Sequence, residues 1–163
     1  MLLKSIIAIF TLMLIAMFAM GWWSHKTTTT ASGLKNGQLT KCPDTPNCVN
    51  SEAFAATAIK NTTQDEAKIA AVSLPDKPLD ELKLDIIHTL DRMGADNLQW
   101  QDAYLATTFT TRIFRFVDDF ELRIDQASGE LHIRSASRVG KSDFSANRKR
   151  TDTFREQLKQ AGW

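Results

Sequence analysis

The densest chemistry lies near the C-terminus. From Arg134 to Arg155 there are seven basic and two acidic residues. Arg134, Arg138, Lys141, Arg148, Lys149 and Arg150 are interleaved with Ser135, Ser137, Ser142 and Asn147. Guanidinium groups bind phosphate and carboxylate through paired donors, and hydroxyls and amides add neutral hydrogen bonds. The pattern predicts an anion or polar-ligand site built from Arg134, Ser137, Arg138, Ser142, Asp143, Asn147, Arg148 and Arg150. Asp118 belongs with it. Phe114, Phe116, Asp118, Phe120, Leu122 and Ile124 share one face of an expected strand, so this carboxylate points with apolar residues and requires a cation or several hydrogen bonds.

The same residues support three readings. They form a ligand site; or Asp118, Asp119 and Asp143 neutralise the arginines in a structural network; or they catalyse. In the last case Arg138, Arg148 and Arg150 clamp a phosphate- or carboxylate-bearing substrate and Asp143 serves as acid or base. No activating partner for a carboxylate is apparent, so catalysis ranks below binding. Arg148, Lys149 and Arg150 fall where a last helix should begin, and cations there oppose the helix dipole.

Other chemistry is sparse. Cys42 and Cys48 are the only cysteines and enclose Pro43, Asp44, Thr45, Pro46 and Asn47. Two prolines and an Asn make this a tight turn, for which a structural disulfide is expected, with free thiols or a metal or redox role as alternatives. The spacing is not that of a dithiol oxidoreductase. His25, His88 and His132 are not spaced as metal ligands. No phosphate-cradling glycine loop or nucleophile elbow occurs. Asn61 to Thr63 matches a glycosylation acceptor, a pattern common by chance. No metal and no cofactor is expected.

These residues need elements to position them. Ile69 to Leu74 reads as a strand, and Pro78 to Met93 as a helix with Leu79, Leu82, Ile86, Leu90 and Met93 at helical spacing. Strands are expected at 97–101, 104–111, 114–125 and 130–137, and a helix at 148–161 with Phe154, Leu158 and Ala161 on one face. The four residues Gln126 to Gly129 suggest a hairpin. With Asp125 opposite Glu130, Ile124 meets Leu131, Leu122 meets Ile133, Phe120 meets Ser135 and Asp118 meets Ser137. Glu121 then faces Arg134 as a surface ion pair. The expected fold class is α+β, a small antiparallel sheet of four to five strands packed with two helices behind an N-terminal transmembrane helix.

That helix is explicit. Ser5 to Trp23 is an uncharged run whose only non-apolar members are Ser5, Thr11 and Gly21. It nearly spans a hydrocarbon core, and Trp22 and Trp23 close it at headgroup level. The cleavage-site residues Met17, Phe18 and Ala19 include a bulky Met, so an anchor is preferred to a cleaved signal. The organisation expected is an anchor at 1–23, a flexible tether at 24–40 and one domain at 41–163. The chain's 20 basic and 19 acidic side chains give a net charge of +1, which argues against nucleic acid. The balance hides segregation: 42–102 carries five basic and eleven acidic residues. The paired cysteines favour an oxidising compartment over the weak lysine bias on either side of the anchor. The expected location is a bacterial inner membrane, single-pass, with the domain in the periplasm, or periplasmic secretion if the signal is cleaved.

Three stretches together resemble a known family. Cys42 to Val49, Phe114 to Asp119 and Arg134 to Arg150 are similar to the domain of unknown function fourteen ninety-nine, found in bacteria and plant chloroplasts. The resemblance covers about Leu39 to the C-terminus. It implies export or membrane association and no established activity, so it assigns no catalytic residue. The family pattern usually has Gly where this chain has Ser145, and Ser where it has Asn50. A Gly there would imply an unusual backbone angle. The function expected is a non-enzymatic, membrane-anchored envelope domain binding an anionic lipid, glycan or protein. The alternatives are the hydrolase or transferase above and a purely structural envelope protein.

Overall fold

Alternation between Val117 and Ser137 organises the molecule. The computed structural model describes residues 2–27, 29–31, 33–52 and 67–163; Asn61 to Thr63 lies outside them. Helix α1 spans Leu2–Lys26. Two short strands follow, β1 at Leu34–Lys35 and β2 at Gln38–Leu39, inside the segment expected to be a tether. Then come β3 at Cys48–Asn50, β4 at Val72–Ser73, helix α2 at Leu79–Arg92, β5 at Asp96–Gln101, β6 at Tyr104–Thr110, β7 at Val117–Asp125, β8 at Glu130–Ser137 and helix α3 at Ala146–Gln160.

The main sheet has six antiparallel strands in the order β3-β8-β7-β6-β5, with β4 also paired to β8. The β7–β8 register places Asp125 opposite Glu130, Leu122 opposite Ile133 and Asp118 opposite Ser137, as the hairpin loop predicted. The fold is α+β. The main sheet has one strand more than expected because β3 is only three residues long, too short to show a period. The expected strand over 69–74 shrinks to Val72–Ser73.

One face of the sheet carries Leu105, Phe109, Phe120, Leu122, Ile124, Leu131 and Ile133, all buried. Leu82, Ile86 and Leu90 of α2 and Phe154 and Leu158 of α3 cover it. Burying a side chain of this size removes about 1.5–3 kcal/mol of apolar exposure. Phe120 meets Phe109 and Phe154 edge-on, with centroids 5.5 and 5.3 Å away. Ala161, expected on the core face, is exposed, because α3 ends at Gln160.

Two boundaries shift for identifiable reasons. β7 starts at Val117, not Phe114, because Arg115 has φ 61° and turns the chain. Phe114 therefore leaves the strand and packs on Phe18 of α1, 5.2 Å between centroids. Helix α3 starts at Ala146, two residues before the expected position. Ser145 precedes it with φ 63° in the left-handed region.

Candidate functional site

The predicted cluster resolves into two networks on opposite faces of the sheet. On the helix-covered face, Asp118 is 3% exposed and takes a 2.7 Å bond from Arg150 Nη2. Arg150 Nη1 also donates to Asn147 Oδ1 at 2.6 Å and to Ser135 Oγ at 3.3 Å. Its guanidinium lies 4.8 Å from the Phe109 ring. Asn147 Nδ2 donates to Ser137 Oγ, the Asn47 carbonyl and Asp143 Oδ2, at 2.8 to 3.0 Å. Asn47 thus ties the disulfide loop to α3. The Cys42–Cys48 disulfide closes that loop with Cα atoms 5.7 Å apart.

Asp143 accounts for the cations at the start of α3. Its carboxylate accepts the backbone N–H of Ser145 at 3.0 Å and of Asn147 at 2.8 Å. A carboxylate capping these amides offsets the unfavourable placement of Arg148, Lys149 and Arg150. Ser145 itself makes no side-chain cap bond, because its backbone is left-handed.

The second network lies on the other face. Arg138 grips Asp119, with Nη2 to Oδ1 at 2.7 Å and Nε 3.1 Å from both oxygens. Asp119 also accepts from Thr29 Oγ1 at 2.7 Å and from Thr30 N and Oγ1 at 2.6 and 2.8 Å. Burial pushes the Asp119 carboxyl up, but Arg138 and the threonine donors outweigh it, and the group sits below its ordinary value. Next to it, Arg134 pairs with Glu121, which also accepts the Tyr104 hydroxyl at 2.8 Å. Burial raises the Glu121 carboxyl, and burial with the Glu121 charge raises Tyr104.

The Glu121–Arg134 pair was expected at the surface, and this is a correction. Glu121 is 0% and Arg134 is 3% exposed. The register is right, but the face is covered by the segment around Thr30 and Leu39, and the Thr30 carbonyl accepts from Arg134 Nη1 at 3.2 Å. Glu52 extends this network. It is buried, bonds Arg123 at 2.7 and 3.1 Å and accepts the Leu39 N–H at 3.1 Å. His132 Nδ1 lies 3.6 Å from Glu52. Asn50, where the family pattern has Ser, bonds the Thr40 carbonyl and the Glu52 N–H, both at 2.9 Å.

Arg134, Arg138 and Arg150 are therefore each engaged with a carboxylate, and Ser137 and Asn147 with each other. Arg148 is half-buried and reaches the Lys68 carbonyl at 3.3 Å. Ser142 is exposed and accepts from the Phe144 N–H at 3.4 Å. Among the described residues, no three His, Cys, Asp or Glu side chains gather into a metal-holding group.

Sequence reasoning missed another surface. Arg112, Ile113, Arg115, Lys141 and Phe144 are exposed, Ile113 by 68% and Phe144 by 88%. Arg112, Arg115 and Lys141 make no ion pair with the described residues. The surface adjoins α1: Ser24 Oγ accepts the Val117 N–H at 3.0 Å. Phe144 stands between Asp143 and Ser145 and Ile113 between Arg112 and Phe114, and only their convergence in space makes a signal.

A small antiparallel α+β domain, preceded by one helix with the length and composition of a membrane anchor or signal sequence, is the class these features define. The chain belongs to the family of proteins of unknown function DUF1499, whose model matches residues 38–158. No curated protein and no solved structure matches it.

Proposed function

We propose that this chain is a single-pass inner-membrane protein whose domain lies in the periplasm and binds, without catalysis, an anionic lipid of the membrane that anchors it. One observation carries the reading. Three cations with no ion-pair partner among the described residues, Arg112, Arg115 and Lys141, flank the exposed Ile113 and Phe144 beside the end of α1. Basic residues near an anionic leaflet each gain about 1 kcal/mol, and adjacent apolar side chains add partition into the headgroup region. The arginines engaged with carboxylates hold the fold, so the binding role moves from Arg134, Arg138 and Arg150 to these free cations. That division also favours a partly structural role for the C-terminal cluster. Asp143, the candidate acid or base, is occupied capping α3.

The test is the lipid co-purified with the full chain from its membrane. Anionic lipid is expected to be enriched over the bulk membrane, and Arg112→Glu with Arg115→Glu and Lys141→Glu to remove the enrichment. Bulk composition around the unaltered protein would refute the reading. Free thiols at Cys42 and Cys48 in native membranes would refute the compartment.

A further inference from the structure

A cavity of about 590 Å3 opens between α1 and the domain. Met17 and Met20 of α1 form one wall. Ile113, Phe114 and Phe116 form a second, and Val139 and Phe144 a third. Its size falls within the ~300–1,000 Å3 typical of small-ligand sites. We infer that this cavity takes one acyl chain of a membrane phospholipid, drawn from the bilayer in which α1 sits. The inference rests on the lipid-binding reading and names the part of the lipid that enters.

Three observations select an acyl chain. First, depth: Phe114 packs on Phe18, which precedes Trp23 by five residues, about 7 Å of helix. With Trp23 at headgroup level, the cavity mouth lies at the boundary between headgroups and acyl chains, the depth at which interfacial apolar groups reside. Second, polarity: apart from the exposed Arg112, the polar side chains that line the cavity are already bonded within the protein. Asp118 takes Arg150, Ser137 takes Asn147, and Asp143 takes the Ser145 and Asn147 amides. No unsatisfied buried polar atom among the described residues belongs to a lining residue, so the cavity does not call for an ionic or hydrated occupant. Third, charge: Arg112 lies in the lining and Lys141 lies between the lining residues Gly140 and Ser142, which suits an anionic headgroup left outside at the rim.

The anchor is held against this cavity. A Cβ placed on Gly21 would lie 1.6 Å from the Phe114 carbonyl oxygen, so only glycine permits this approach. The Ser24–Val117 bond fixes the same junction. The membrane helix is thus a wall of the site as well as an anchor.

The experiment is native mass spectrometry of the full chain released from nanodiscs of phosphatidylcholine with a minority of phosphatidylglycerol. One retained phospholipid per chain is expected. Val139→Trp, which fills the cavity, is expected to lower retention about tenfold. Equal retention by Val139→Trp, no retained lipid, or a retained peptide would overturn the inference. Retention of one lipid without preference for phosphatidylglycerol would refute the anionic reading and leave the acyl site standing. A second measurement does not depend on the folding of a variant. Phosphatidylglycerol with a photoreactive acyl terminus should crosslink the unaltered chain at Ser137 to Val139. Adducts confined to α1 would overturn the inference.

Discussion

Asp118 and Arg150 are largely withdrawn from water, and their bond is 2.7 Å long. Removing one partner of such a pair strands the other charge, a loss of about 3–5 kcal/mol. Arg150→Ala should therefore destabilise the domain by that amount in denaturant titration. Asp118→Ala combined with Arg150→Ala should recover part of it, since paired residues are not additive. At Ser145 the φ of 63° imposes left-handed strain on a residue with a side chain. Ser145→Gly should raise stability by about 0.5–1 kcal/mol in the same titration, the strain relieved less the entropy glycine adds to the unfolded chain. The family resemblance had pointed to this position, and the backbone angle supplies the reason. Asp118 itself was legible, because period-two alternation placed it among apolar side chains and a near-neighbour cation was available. Glu52 was not, because Arg123, its partner, is 71 residues away in the chain.

Among elements, the disulfide loop and the base of α1 do different work. Cys42→Ser with Cys48→Ser opens a loop of five intervening residues and should cost about 2 kcal/mol. Because Asn47 also accepts from Asn147 and donates to the Gly140 carbonyl at 2.9 Å, hydrogen exchange at the start of α3 should rise in that variant. Gly21→Leu should separate α1 from the 111–117 turn while leaving the sheet intact. A spin-label pair, one on α1 and one on β7, should report a longer and broader distance, and an unchanged distance would refute the packing. The β7–β8 hairpin was readable from sequence, since a four-residue loop and two alternating strands admit one register that keeps the apolar residues together. The start of β7 was not. Phe114 and Phe116 continue the alternation, but Arg115 turns the chain and Phe114 serves α1 instead.

For the whole molecule, the polar face of the sheet is a pH-sensitive seam. The Asp119 carboxyl is below its ordinary value of 3.8 because Arg138, Thr29 and Thr30 stabilise its charge against the cost of burial. Its contribution to stability is therefore complete above the ordinary range and lost as pH falls through the depressed folded value. Glu121, raised by burial, works in the opposite sense: stability declines as pH rises from its ordinary value of 4.5 through the higher folded value. Protection of the Thr30 amide from hydrogen exchange should accordingly persist at neutral pH and collapse in acid below 3.8. Asp119→Asn should weaken that protection at neutral pH and remove its dependence on the Asp119 titration. Such a variant should release the segment after α1 from the sheet without melting the apolar core on the opposite face.

Sequence alone determined the apolar N-terminal helix, the α+β class, the hairpin register and the segregation of cations into the C-terminal stretch. All four follow from composition, period or short-range spacing, which the chain carries locally. Only the tertiary structure decided which cations are committed and which are free. Arg134, Arg138 and Arg150 meet carboxylates of β7, while Arg112, Arg115 and Lys141 find no ion-pair partner among the described residues. A charge has one identity in sequence, but its energetic role depends on what folding brings within a few ångströms of it and on how much water it keeps. For the same reason the cavity between α1 and the domain could not be read in advance. Its walls come from residues about a hundred positions apart, and folding alone makes them neighbours.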